Sequence, residues 1–115
     1  MQRAEERFHV DVPIFLNWQD KSGMLRRTSA RCTDLSESGV KVETMDRLEP
    51  LTVVAIGSEL LGRMGHASVR YCQRNKMKNV IGLRFSTPLR LADPARRRIL
   101  QNADRAAARA SSVSY

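Results

Sequence analysis

Cysteine is scarce in this 115-residue chain: there are two, Cys32 and Cys72. They make neither a metal-ligand spacing nor a disulfide framework, and both fall in apolar stretches. They read as reduced, buried thiols of a cytoplasmic protein. Long apolar runs are missing as well. None approaches the roughly 18 residues needed to cross a bilayer, and the opening "MQRAEER" has no signal-peptide character, so a soluble protein without a transmembrane segment is expected. Aromatic residues are few, with three Phe, two Tyr and one Trp. There is no Ser-His-Asp order, no G-x-S-x-G elbow and no Gly-rich phosphate loop. His9 and His66 stand apart, with no Cys or carboxylate at metal spacing, and read as surface residues. No enzyme, metal or cofactor is expected.

What the chain does have is positive charge. Twenty Lys and Arg against twelve Asp and Glu give a formal +8 and a pI near 10.5. Such a surface attracts anions, whether nucleic acid, headgroups, a nucleotide or an acidic protein. Most of the excess is Arg, whose planar fork grips phosphate and guanine edges with two parallel bonds. With 42% hydrophobic residues, the length fits one domain with a modest core.

In "FHVDVPIFLNW", Phe8, Val10, Val12, Ile14, Leu16 and Trp18 take every second position, which predicts a strand with one buried face. Pro13 cannot donate to a ladder, so it implies an edge or a bulge. "QDKSG" reads as a turn and "MLRRTSARCTDL" as a second strand. "GVKVET" alternates again, with Val40 and Val42 inward. "LTVVAIG" is a short apolar run. "HASVRYC" puts Ala67, Val69 and Tyr71 on one face, and "NVIGLRFS" does the same for Ile81, Leu83 and Phe85. Six short strands between turns predict an antiparallel sandwich or barrel. Between the fourth and fifth, "SELLGRMG" reads as a loop of undetermined path.

Further on, "ADPARRRILQNADRAAARA" has Asp93 as N-cap and Pro94 at the first helical position, with a thin stripe of Ile99, Ala103, Ala106 and Ala110. A helix over 91–110 and a tail over 111–115 are expected to follow a barrel over 1–90. The Arg96–Arg98 run is by default a solvated basic face, although it could also meet an anion.

Two short stretches stand out. In "RAEER", Arg3 and Arg7 share a side whether the segment is helical or extended, and their backbones stand roughly 13 Å apart if extended. They are either a solvated terminus or a reach for two groups on one anion. In "DLSESG", Asp34 and Ser36 can close Asx- and ST-type turns, and Gly39 suits a positive φ before a strand. The same carboxylate and hydroxyl could equally serve a ligand, the carboxylate accepting from a guanine N–H edge.

An R-x-x-x-R before the first strand, followed by D-x-S-x-x-G between the second and third, resembles the PilZ family. "ASVRYC" and "VIGLRF" resemble later strands of that family, and the likeness runs over roughly residues 3 to 90. It implies a six-stranded antiparallel β-barrel with an appended C-terminal α-helix that binds the bacterial second messenger cyclic di-GMP. Carried over by position, Arg3 and Arg7 would take phosphates and guanine edges, and Asp34, Ser36 and Gly39 would take the other guanine. An effector protein reading the liganded surface is the further partner implied. Two other readings stand beside it. One is a small nucleic-acid-binding barrel. It is disfavoured because Phe8, Trp18 and Phe85 fall inward and leave Phe15 as the one clear stacking candidate, so no DNA or RNA partner is expected. The other is a PilZ-like scaffold that acts through protein contacts without a ligand.

Overall fold

The computed structural model describes residues 7–89. Arg3, the helix expected over 91–110 and the tail over 111–115 lie outside them. The described residues form six strands, β1 (Phe8–Gln19), β2 (Leu25–Leu35), β3 (Gly39–Thr44), β4 (Val53–Ser58), β5 (Gly62–Asn75) and β6 (Lys78–Phe85). They close into an antiparallel barrel in the order β1-β2-β3-β6-β5-β4.

Alternation explains most of the core. Val10, Val12, Ile14 and Leu16 point inward from β1, and Val40, Val42, Val54, Ile56, Val69, Ile81 and Leu83 meet them from the other strands. Side chains such as Ile14 and Leu16, fully removed from water, each contribute roughly 1.5–3 kcal/mol relative to exposure. Cys32 is buried among them, and burial, helped by the nearby Asp34 charge, pushes its thiol pKa up to about 12. Cys72 is only partly buried, and both thiols are free. Thr44 and Asn79 are buried polar residues with partners: Thr44 Oγ1 donates to the Ser29 carbonyl at 3.0 Å and Asn79 Nδ2 to the Met45 carbonyl at 3.1 Å.

Two local expectations need adjustment. "SELLGRMG" is no independent loop: Ser58 ends β4, Gly62 begins β5, and Ser58 Oγ accepts from the backbone N–H of Leu60 and Leu61 to tie the short turn between them. Tyr71 does not share a face with Ala67 and Val69. The pairing of β5 with β6 slips by one residue between Val69 and Tyr71, which turns the Tyr71 ring outward. Here the extra residue of the bulge re-aims the β5 side chains beyond it. Pro13 lies where the expectation put it, beside a register shift between His9 and Val12. It also lies where β1 pairs with β2 alone, because β4 joins β1 only at Phe15–Asn17.

Because neighbouring strands are antiparallel, β1, β3 and β5 run one way and β2, β4 and β6 the other. One end of the barrel therefore carries the chain entry at Arg7, the β2–β3 turn and the end of β6. The β1–β2, β3–β4 and β5–β6 connections share the other end.

Candidate functional site

The β2–β3 turn is built by its own side chains. The Ser36 backbone N–H donates to the Gly39 carbonyl at 2.9 Å, and the Gly39 N–H donates back to Ser36 Oγ at 3.3 Å. The turn is also strapped to the end of β6 and the segment beyond it: Phe85 N–H donates to the Ser38 carbonyl and Leu89 N–H to the Glu37 carbonyl, both at 2.8 Å. Gly39 is needed for a different reason from the one its sequence position suggests. Its φ is not in the left-handed region. A Cβ there would instead stand 2.5 Å from the Leu83 carbonyl oxygen on β6.

Above this turn the register aligns five residues across five strands. His9 pairs with Asp34, Asp34 with Lys41, Lys41 with Gly82, and Gly82 with Tyr71. Register shifts flank the row on both sides: in β1 between His9 and Val12, between Cys32 and Asp34 where β2 meets β3, and in β5 before Tyr71. The second of these decides Asp34. Ala30 and Cys32 point inward, and strict alternation would send Asp34 after them; the bulge turns Leu35 inward instead and leaves the carboxylate on the outer face. Bulges commonly re-aim side chains beside binding sites in this way.

The row floors a cleft of about 580 Å³. Arg7, Asp34, Ser36 and Gly39 all line it, so the structure brings together the four described residues singled out from the two motifs. Arg3 lies outside the described residues. The cleft also contains residues that the sequence motifs do not mark: His9, Lys41, Arg70 and Tyr71. Asp34 Oδ1 is 2.6 Å from His9 Nδ1, and Lys41 Nζ lies 3.8 Å from Oδ2. His9 is thus the cross-strand partner of the motif carboxylate rather than an isolated surface histidine. The Tyr71 ring lies across Gly82, where even one methyl group would collide with it, and the ring remains substantially exposed. Arg7, Lys41 and Arg70 against Asp34 make the cleft a cationic setting around one carboxylate. Such a surface suits a phosphate-bearing ligand that also offers N–H donors.

A family comparison matches the PilZ domain over residues 1–103. The chain belongs to the PilZ domain family. Among solved structures, the PilZ domain of Escherichia coli YcgR with c-di-GMP is similar at 16% identity and a TM-score of 0.61, covering 98% of this chain and all of that one. The K. pneumonia MrkH–c-di-GMP complex is similar at 16% identity and a TM-score of 0.57, covering 97% of this chain. MrkH in its apo state gives 14% identity and a TM-score of 0.60 over 96% of this chain. This PilZ chain spans about half of the MrkH chain, 54% in the complex. At such identities the likeness is one of fold. No curated protein matches the chain.

Phe15, the outward aromatic that a nucleic-acid barrel would need, is already covered: the Arg27 guanidinium stands 4.2 Å from its ring centroid. Phe8 and Phe85 are buried.

Proposed function

We propose that this PilZ domain is a receptor for cyclic di-GMP and binds it in the cleft between the N-terminal Arg segment and the β2–β3 turn. The observation that carries the reading is convergence. Arg7 and the Asp34–Gly39 turn, encoded some 27 residues apart, line one concavity whose size falls within the usual range of roughly 300–1,000 Å³ for small-ligand sites. Arg7, with Arg3, would hold phosphate oxygens and the O6/N7 edge of guanine. Asp34 would accept from the guanine N1–H and N2–H edge, and Ser36 would offer a hydroxyl. The exposed Tyr71 ring offers a stacking surface, and Lys41 and Arg70 add charge against the two phosphates. Binding would order the Arg segment over the ligand and change the surface offered to a cytoplasmic effector protein; no step of catalysis is involved.

Calorimetric titration tests this. Cyclic di-GMP should bind well ahead of cyclic di-AMP, because adenine presents an N6 donor where guanine presents O6. Arg7→Ala should lose about tenfold to a hundredfold in affinity, the loss of charge-assisted bonds worth roughly 1.5–3 kcal/mol, with an unchanged melting curve. Equal affinity for the two dinucleotides, or an Arg7→Ala variant that binds like the parent, would overturn the assignment.

A further inference from the structure

The end of the barrel remote from the cleft has a composition that nucleotide binding does not use. Its three connections each present exposed apolar side chains: Met24 (62% exposed) and Leu25 at the β1–β2 hairpin, Met45 (66%) and Leu51 in the β3–β4 connection, and Met77 (76%) at the β5–β6 tip. Lys21 and Arg26 flank the first and Lys76 and Lys78 the third, while the second carries Arg47 together with Asp46 and Glu49. The three connections carry three carboxylates, and two are committed: Asp20 to Arg26 at 2.9 Å and Glu49 to Lys21 at 3.1 Å. On the barrel wall, Lys78 lies near enough to Asp11 to help hold that carboxyl below its ordinary range. Arg47, Arg74 and Lys76 make no ion pair among the described residues. One residue in each of two of these connections has a positive φ, Leu51 at 73° and Lys76 at 59°, a region that side-chain-bearing residues rarely adopt outside tight turns.

We propose that this end of the barrel docks on an anionic phospholipid surface. The exposed apolar residues are carried on three different connections with Lys and Arg interspersed. A lipid interface accepts all of them together, while Lys and Arg meet the phosphates. Methionine suits the role because its flexible, polarisable side chain adapts to an irregular environment. None of these apolar or basic residues lines the cleft. The proposal rests on a different set of residues from the nucleotide reading, and either can fail without the other.

The test is co-sedimentation of the whole chain with vesicles of mixed phosphatidylglycerol and phosphatidylcholine, and with pure phosphatidylcholine vesicles. Binding is expected on the mixed vesicles and is expected to be lost with added salt. The double variant Met24→Asp/Met77→Asp should bind about tenfold more weakly, and Lys76→Glu about threefold, while Arg63→Glu at the other end should bind like the parent. All the substituted side chains are exposed, so melting curves should stay with the parent's. The single tryptophan, Trp18, is half-buried in a hollow at this end beside Arg47 and Leu48. Its emission should be quenched by brominated acyl chains. Sedimentation without Trp18 quenching would place another face on the lipid and overturn the proposal. So would equal binding by the double variant or by pure phosphatidylcholine, or concentration-dependent dimerisation that the double variant abolishes.

Discussion

Two glycines separate sterics from conformational freedom. Gly39 and Gly57 both sit in strands and neither has a positive φ. A Cβ at Gly39 would meet the backbone oxygen of Leu83, which cannot swing aside as a side-chain tip would; a Cβ at Gly57 has nothing within 4 Å. Gly39→Ala is therefore expected to destabilise the domain by about 1–3 kcal/mol through overpacking of β3 on β6. Gly57→Ala is expected to be neutral or to stabilise by about 0.4–1 kcal/mol, because it stiffens the unfolded chain. Urea midpoints of the two variants check both expectations, and similar destabilisation in both would show that local backbone freedom, not the Leu83 carbonyl, sets the requirement. The sequence could mark Gly39 as special but not say why, since the carbonyl that excludes a side chain comes from a strand more than forty residues later. Tyr71 shows the same limit, because its place over Gly82 depends on a register that no local pattern records.

At the scale of elements, one carboxylate braces the β1–β2 hairpin beside its backbone bonds from the Asp20 N–H to the Met24 carbonyl and from the Gly23 N–H to the Asp20 carbonyl. Asp20 Oδ1 accepts from the Ser22 N–H and hydroxyl and from the Met24 N–H, and Oδ2 accepts from Arg26 Nε. The Ser22 side chain first, and then Arg26, hold the Asp20 carboxyl far below the ordinary carboxylate range. A group whose pKa is depressed on folding stabilises the fold above its unfolded value, near 3.9, and loses that contribution as the pH falls toward its folded value. Asp20→Asn should thus lower the melting temperature at neutral pH, and the gap between variant and parent should narrow as the pH is taken down through the acid range. Melting curves over that range check it, and a gap that stays constant would mean that the charge on Asp20 is immaterial to the turn. The hairpin was legible in "QDKSG" and the strand before it in strict alternation, because both signals are local. The six strands and their inward sets were likewise readable wherever alternation ran unbroken, as in β1 and β3. Legibility failed at the bulges of β2 and β5. Spacing alone groups Asp34 with Ala30 and Cys32, and it was the D-x-S-x-x-G pattern, not periodicity, that marked Asp34 for a site. His9 carried no signal of its own, since its partner lies on the next strand.

For the molecule as a whole, the strand order divides the barrel into two three-stranded meanders, β1-β2-β3 and β4-β5-β6. They meet along two seams of unequal length. The β3–β6 seam has six residue pairs, from Gly39↔Arg84 to Thr44↔Asn79. The β1–β4 seam has three, from Phe15↔Gly57 to Asn17↔Ala55. The short seam makes the structure a cover hinged along a long spine and fastened by a small clasp. Opening the clasp breaks few backbone bonds and leaves each meander paired within itself, so it should occur as a partial unfolding event below the free energy of global unfolding. Native-state hydrogen exchange should reveal it: amides bridging β1 and β4 should exchange early and with little dependence on denaturant, while those between β3 and β6 should exchange only with the whole domain. Uniform protection across both seams would mean that the core side chains, and not the backbone ladder, latch the barrel shut.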